Sequence, residues 1–178
     1  HTSSPRKIEV MQRIFNDRVD ARALFDAMAV APSGVRTPLM FEFQLTEMAR
    51  AKKQKIVLPE ASDDRILHSA AIVLRRGTAD IVLLGKPAVV KAQASALGIS
   101  IDGAEIVDLE DPELIKRFAT KYAELRAAKG VTYEQAVEKF KDASYFGTMM
   151  VYLGLADGMV SGAVNTTANT IRPSLEFV

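Results

Sequence analysis

The sequence predicts an α/β protein, a three-layer, mostly parallel sheet with helices on both faces, preceded by a helical lead-in. Three observations predict it. Short apolar runs at Ile56-Val57-Leu58, at 81–84 and at 104–107 alternate with segments whose apolar residues recur at helical spacing. Those runs are continuously apolar, as in strands covered on both faces, and do not alternate as in a half-exposed sheet. Helix-starting and helix-ending residues fall between them at the right places.

Composition fits one domain with a sizeable core and a small additional unit. The chain has 178 residues, 48% of them hydrophobic and 25% charged. Lys+Arg total 23 and Asp+Glu 22, a formal net charge of +1, so no basic field argues for nucleic acid or an anionic membrane as partner. The absence of cysteine excludes disulfides, thiolate chemistry and cysteine-based zinc sites, and His1 and His68 are too few for a histidine-based metal site. No apolar run approaches the ~20 residues that span a bilayer, and no signal peptide is visible. Cytoplasmic placement is the default expectation. The chain begins at His1 without methionine and stops at Val178 within a helical pattern. Both ends are expected to be cuts in a longer protein.

Ile8, Met11, Ile14 and Phe15 predict a first helix. Asp20 is the expected N-cap of a short one carrying Leu24, Phe25 and Met28. Pro32, Ser33 and Gly34 mark 31–36 as a linker. Thr37-Pro38 opens a helix to about Lys53, with proline where its missing N–H costs nothing. After the first strand, Ser62 is expected to cap a helix with Asp63 and Asp64 in its first turn, Ile66, Leu67, Ala70, Ala71 and Leu74 on its apolar face and Gly77 at its end. The second strand leads to a helix from about Pro87. After the third, Asp111-Pro112-Glu113 opens a long helix with Leu114, Ile115, Phe118, Tyr122 and Leu125 on one face, closed by Gly130. Thr132 and Gln135 form a capping box for the next. A helix over 145–153 then leads to a strand at 158–161.

Parallel sheets bind ligands beyond the carboxyl ends of their strands. Four such ends are candidates: 58–62, 84–87, 108–111 and 160–173. The last differs in kind. It carries small and hydroxyl residues, Asn165, Asn169 and Arg172, and no acid. Glycine admits close backbone approach, hydroxyls and amides supply donors, and a helix start in 167–173 would attract an anion. Arg172 adds a guanidinium fork suited to phosphate or carboxylate. A polar turn with a helix cap explains the same residues about equally well. By spacing alone Arg126 reads as a cation at a helix C-terminus, Glu60, Asp63 and Asp64 as capping acids in preference to metal ligands, His68 as structural, and Met149-Met150 as core. No GxGxxG or P-loop is present.

Several segments in the right order resemble one family. They are Ser144-Tyr145-Phe146-Gly147-Thr148-Met149-Met150-Val151-Tyr152-Leu153-Gly154-Leu155-Ala156-Asp157-Gly158-Met159-Val160-Ser161-Gly162-Ala163 with Thr170-Ile171-Arg172-Pro173, Ile56-Val57-Leu58-Pro59-Glu60 with Asp63-Asp64-Arg65-Ile66-Leu67, Ala79-Asp80-Ile81-Val82-Leu83-Leu84-Gly85, and Tyr122-Ala123-Glu124-Leu125-Arg126 with Lys129-Gly130. From about Arg36 onward the chain resembles the phosphate acetyltransferase family. The resemblance implies an isocitrate/isopropylmalate dehydrogenase-like fold. It implies a helical lead-in, or the end of an upstream regulatory domain, at 1–36, and the N-terminal part of a phosphate acetyl/butyryl transferase domain at 37–178. The implied reaction moves acetyl reversibly between coenzyme A and phosphate by thiolate attack within a ternary complex, with a carboxylate as general base and positive and N–H donors on phosphate and oxyanion. The implied partners are acetyl-CoA, phosphate and acetyl phosphate, with no separate cofactor or metal and with homo-oligomerisation.

By the same resemblance, Arg126 and Arg172 bind substrate, and Ser161, Gly162, Asn165, Thr166 and Thr167 line it. The family usually carries histidine at Asn165, and often histidine or aspartate at Asn169. Its catalytic serine, arginine and aspartate fall beyond Val178, so no general base is nominated here and the 178 residues alone are expected to be inactive. Two alternatives stay open: a non-catalytic acetyl-CoA-sensing domain of the malic-enzyme type, and a phosphate butyryltransferase. Apolar surface is expected on the face of the 145–153 helix.

Overall fold

A computed structural model describes residues 4–29 and 36–177. The chain forms two compact units that divide between Glu42 and Phe43. The first contains α1 (Pro5–Arg18) and α2 (Ala21–Met28). The Asp20 carboxylate accepts from the N–H groups of Arg22 and Ala23 and caps α2 as expected. Ile8, Met11, Ile14, Phe15, Phe25 and Met28 are exposed. The expected linker at 31–36 lies, except for Arg36, outside the described residues. The unit boundary falls within α3 (Pro38–Ala51), where the Thr37 hydroxyl accepts from the N–H of Met40.

The second unit is built on four parallel strands in the order β3-β2-β1-β4. They are β1 (Lys55–Leu58), β2 (Asp80–Leu84), β3 (Glu105–Val107) and β4 (Gly158–Met159). Side chains alternate between faces. Val57, Val82 and Leu84 enter one core, while Leu58, Ile81 and Leu83 enter the other. Both faces are covered, which explains the unbroken apolar runs.

One core packs under α4 (Asp64–Arg76) and α5 (Pro87–Ala96) through Leu67, Ala70, Val90 and Ala94. The other packs under α6 (Pro112–Leu125), α7 (Tyr133–Lys139), α8 (Ala143–Tyr152) and α9 (Thr167–Phe177). Phe118 meets Phe146 edge-on at 4.9 Å and Phe140 at 5.6 Å, and Tyr122 meets Phe177 at 5.5 Å. Each such pair adds about 0.5–1.5 kcal/mol to simple burial. Gly147 lets α8 lie close on the sheet. A Cβ there would come within 2.8 Å of the Met159 sulfur and 3.1 Å of Val57 Cγ1.

Several local expectations need correction. The N-cap of α4 is Asp63, not Ser62. Its carboxylate accepts from the Arg65 N–H and pairs with the Arg65 guanidinium at 2.8 Å, which a serine hydroxyl could not do. The long helix ends at Leu125, and a 3-10 turn (Ala127–Lys129) precedes Gly130. Strand β4 is two residues long, because the chain turns away after Val160 donates to the Val57 carbonyl. The face of α8 is largely covered, with only Tyr152 near its C-terminal end exposed. Residues from Ser144 to Met150 are all buried, because α9 returns over α8 and Phe177 packs on Tyr145 and Tyr152. Other large exposed apolar side chains of this unit include Val160, Val164, Ile171 and Leu175, and on α3 Phe43, Leu45 and Met48. No described helix is long and apolar enough to cross a membrane.

Candidate functional site

The strand order marks out a candidate crevice. The chain runs outward from β1 to β2 and β3, then returns to place β4 on the other side of β1. The order reverses between β1 and β4, and a crevice at such a reversal, outside the carboxyl ends of the strands, is where open α/β sheets bind ligands. Glu60 follows β1, and residues 160–166 follow β4.

These two segments are locked together. Glu60 Oε2 accepts from the N–H groups of Gly162 and Ala163, both at 2.9 Å. Its Oε1 accepts from Val164 at 2.8 Å and Asn165 at 2.6 Å. Glu60 is only 5% exposed. Burial pushes its pKa upward, but the four N–H bonds outweigh that and hold the carboxyl below its ordinary value of 4.5. Gly162 has φ +118°, a conformation that favours glycine, and it turns the chain towards the carboxylate. Arg65, from the same β1–α4 turn, donates to the Ala163 carbonyl at 2.8 Å. Its partner Asp63 is held down to about 2, chiefly by the Arg65 side-chain bond.

Helix α9 begins just beyond. The Thr166 hydroxyl caps it by accepting from the Asn169 N–H at 3.3 Å, and the Thr170 hydroxyl donates to the Thr166 carbonyl at 3.2 Å and lies 3.5 Å from Ser161 Oγ. Ser161 and Asn165 are half-buried, and Thr166 and Thr167 are exposed. The positive end of the α9 dipole thus faces the loop. The structure nevertheless reassigns the loop's donors. The N–H groups of residues 162–165 are taken by Glu60, leaving the hydroxyls, the Asn165 side-chain amide and the start of α9 as the polar groups facing outward.

The two arginines lie around a second cluster. Tyr122 of α6 donates to Glu176 Oε2 at 2.6 Å, and Tyr145 of α8 donates to the same oxygen at 3.0 Å. Lys139 of α7 donates to the Tyr145 hydroxyl at 3.2 Å and sits 4.7 Å from its ring centre. Burial and the Glu176 carboxylate push the Tyr145 phenol up to about 12, and Tyr122 rises for the same reasons. Burial opposes ionisation of Glu176, but the two phenols, with Lys139 and Arg126, hold its pKa below the ordinary value. Arg126 bears on Tyr122 and Glu176, and Arg172 on Tyr145. Arg172 also lines a cavity of about 240 Å³ with Glu138, Lys139, Asp142, Tyr145 and Asn169. Arg126 caps α6, and its Nε is buried with no hydrogen-bond partner among the described residues. The Ser144 hydroxyl in the core of α8 is unpaired in the same way.

The predicted residues therefore fall into two sets joined by α9. Ser161, Gly162, Asn165, Thr166 and Thr167 lie at the strand reversal, and Arg126 and Arg172 lie around Glu176. Sequence reasoning missed Glu60, Tyr122, Tyr145 and Glu176 as parts of this arrangement. Among the described residues no group of three or more His, Asp or Glu is placed to hold a metal ion. His68 lies exposed on α4.

The family model described as phosphate acetyl/butaryl transferase matches residues 40–178. The chain belongs to this family. A phosphate acetyltransferase of Nitratidesulfovibrio vulgaris is 44% identical over 173 residues, covering 97% of this chain and 25% of its own length. One of Corynebacterium glutamicum is 51% identical over 140 residues, covering 78% of this chain and 42% of its own length. Among solved structures, a phosphotransacetylase from Streptococcus pyogenes superposes with a TM-score of 0.71 at 33% identity, covering 80% of this chain and 43% of that one. The chain thus spans between a quarter and about two-fifths of the length of these family relatives.

Proposed function

We propose that this chain contributes one wall of the site of a phosphate acetyltransferase, which interconverts acetyl-CoA and phosphate with coenzyme A and acetyl phosphate. The observation that carries the reading is the 44% identity to the Nitratidesulfovibrio vulgaris phosphate acetyltransferase, over a stretch that takes in Arg126, the loop after β4 and Arg172. The geometry agrees with what that reaction needs. Phosphate carries negative charge throughout the transfer, and this wall offers two guanidinium groups, one with an unpaired buried donor, plus hydroxyls at a helix start. In this reading Arg172 and Arg126 hold phosphate or the acetyl phosphate oxygens. Ser161, Thr166, Thr167 and the Asn165 amide orient the substrate. The thiol of coenzyme A supplies the nucleophile, and no resident cofactor or metal takes part. The enzyme works in the cytoplasm as a homo-oligomer.

The test is phosphate-dependent thiol release from acetyl-CoA by the full-length protein. Arg172→Ala and Arg126→Ala should each raise the KM for phosphate or acetyl phosphate roughly tenfold or more, the loss of a charge-assisted hydrogen bond, without unfolding the protein. Wild-type kinetics in both variants sinks their assignment. Faster turnover of butyryl-CoA than of acetyl-CoA would move the reading to butyryl transfer, and acetyl-CoA binding without transfer would move it to a sensing domain.

A further inference from the structure

Four successive backbone N–H groups converging on one point form an anion nest of the kind proteins use for phosphate. In this chain the nest after β4 is filled from within. Glu60 supplies two oxygens, each accepting two N–H groups at 2.6–2.9 Å, from a position 102 to 105 residues earlier in sequence. At 5% exposure it is shielded from exchange with a solvent anion. Three further features show that the arrangement is built. The Asp63 N–H donates to the Glu60 carbonyl and fixes the turn that aims the side chain. Gly162 takes the positive φ that turns the loop inward, and a Cβ there would meet nothing within 4 Å, so its requirement comes from backbone conformation and not from packing. Arg65 holds the loop's carbonyl side at Ala163.

We propose that Glu60 is a positioning residue of the acetyl-transfer site: as an internal anion it fills the backbone nest of residues 162–165, excludes substrate phosphate from it, and fixes the loop so that phosphate is met by side chains and the start of α9 instead. The proposal rests on the acetyl-transfer reading above. It requires a carboxylate and not merely a side chain of that shape. Glutamine is nearly isosteric, but only one of its two end groups accepts hydrogen bonds, and its NH₂ would face two N–H donors. Loss of the bonds on one oxygen lets the loop drift, and a displacement of the order of 1 Å at a site is enough to lower turnover substantially.

The experiment compares wild type, Glu60→Gln, Gly162→Ala and the core control Val57→Ala in the full-length protein, each assayed well below its melting temperature. Steady-state constants for phosphate and acetyl-CoA are measured alongside amide hydrogen exchange over residues 160–166. Glu60→Gln should lose about tenfold or more in kcat/KM for phosphate, with a much smaller change in the KM for acetyl-CoA, and the amides of 162–165 should exchange about tenfold faster or more. Gly162→Ala perturbs the nest from the loop side and should move the same readouts in the same direction, which keeps the test open if Glu60→Gln fails to fold. Val57→Ala, buried beside the site, should lose stability and change neither readout. Wild-type constants and wild-type exchange in Glu60→Gln overturn the proposal, as does the same kinetic split in Val57→Ala. A wild-type protein without phosphate-dependent thiol release instead overturns the reading on which the proposal rests.

Discussion

Glu60 and Glu176 are two sheltered carboxylates in one unit, both held below the ordinary pKa, yet their partners differ in kind. Glu60 takes four N–H groups from a single loop, and Glu176 takes two phenol hydroxyls from two helices and faces Lys139 and Arg126. Backbone donors cannot turn away when their acceptor is lost, whereas a phenol can swing its hydroxyl towards water. The first carboxylate therefore holds a shape, and the second sets the charge balance among helices that carry two arginines and a lysine.

The largest effect expected from this contrast is on stability. Glu60→Ala leaves four part-buried N–H donors without their acceptor and should cost about 2–3 kcal/mol, read as a lower urea midpoint with little change in slope. Glu176→Gln keeps one accepting oxygen for the phenols and should cost about 1–2 kcal/mol, with the exchange of residues 162–165 unaltered. Equal losses in the two variants, or altered loop exchange in the second, would break the comparison. Tyr145→Phe removes one of two donors to Glu176 and should cost about 1 kcal/mol or less, since the Tyr122 bond at 2.6 Å remains.

The pH dependence should separate the clusters further. Glu60 has a folded pKa below its unfolded value, so its contribution is complete above about 4.5 and lost as pH falls through the lower folded value. Tyr145 has a folded value of about 12 against an ordinary 10, so its contribution is complete below pH 10 and lost as pH rises through 12. Urea midpoints across pH should show Glu60→Ala flattening the acid limb and sparing the alkaline one. Glu176→Gln should lower the tyrosinate titration seen by ultraviolet absorbance. An alkaline limb unchanged in Glu176→Gln would mean that burial alone holds the phenols neutral.

Local signals were legible in the sequence. Asp20, Asp111 and the Thr132–Gln135 box cap the helices they precede, because a cap is a contact between residues two or three apart. The strands and the two-sided sheet follow from unbroken apolar runs. The polar loop after β4 also stood out by composition. Its organiser did not, because Glu60 meets its partners from more than a hundred residues away and a short-range reading assigns it to the nearest helix. The burial of α8 escaped for a similar reason. Its apolar face invites a partner, and only the path of the chain shows that α9 already covers it. Which donors of 162–165 remain for a ligand depends on that same long-range contact.

The two-residue strand β4 also bears on the order in which the molecule assembles. Strand β1 meets β2 after one intervening helix, with Ile56 opposite Ile81, but meets β4 only when Lys55 finds Asp157 across 102 residues. Contacts closed over longer loops carry a larger entropic penalty and form later in folding. The crevice should then be the last part of this unit to close and the first to open, and pulse-labelling during refolding should show the amides of β2 protected before those of residues 162–165.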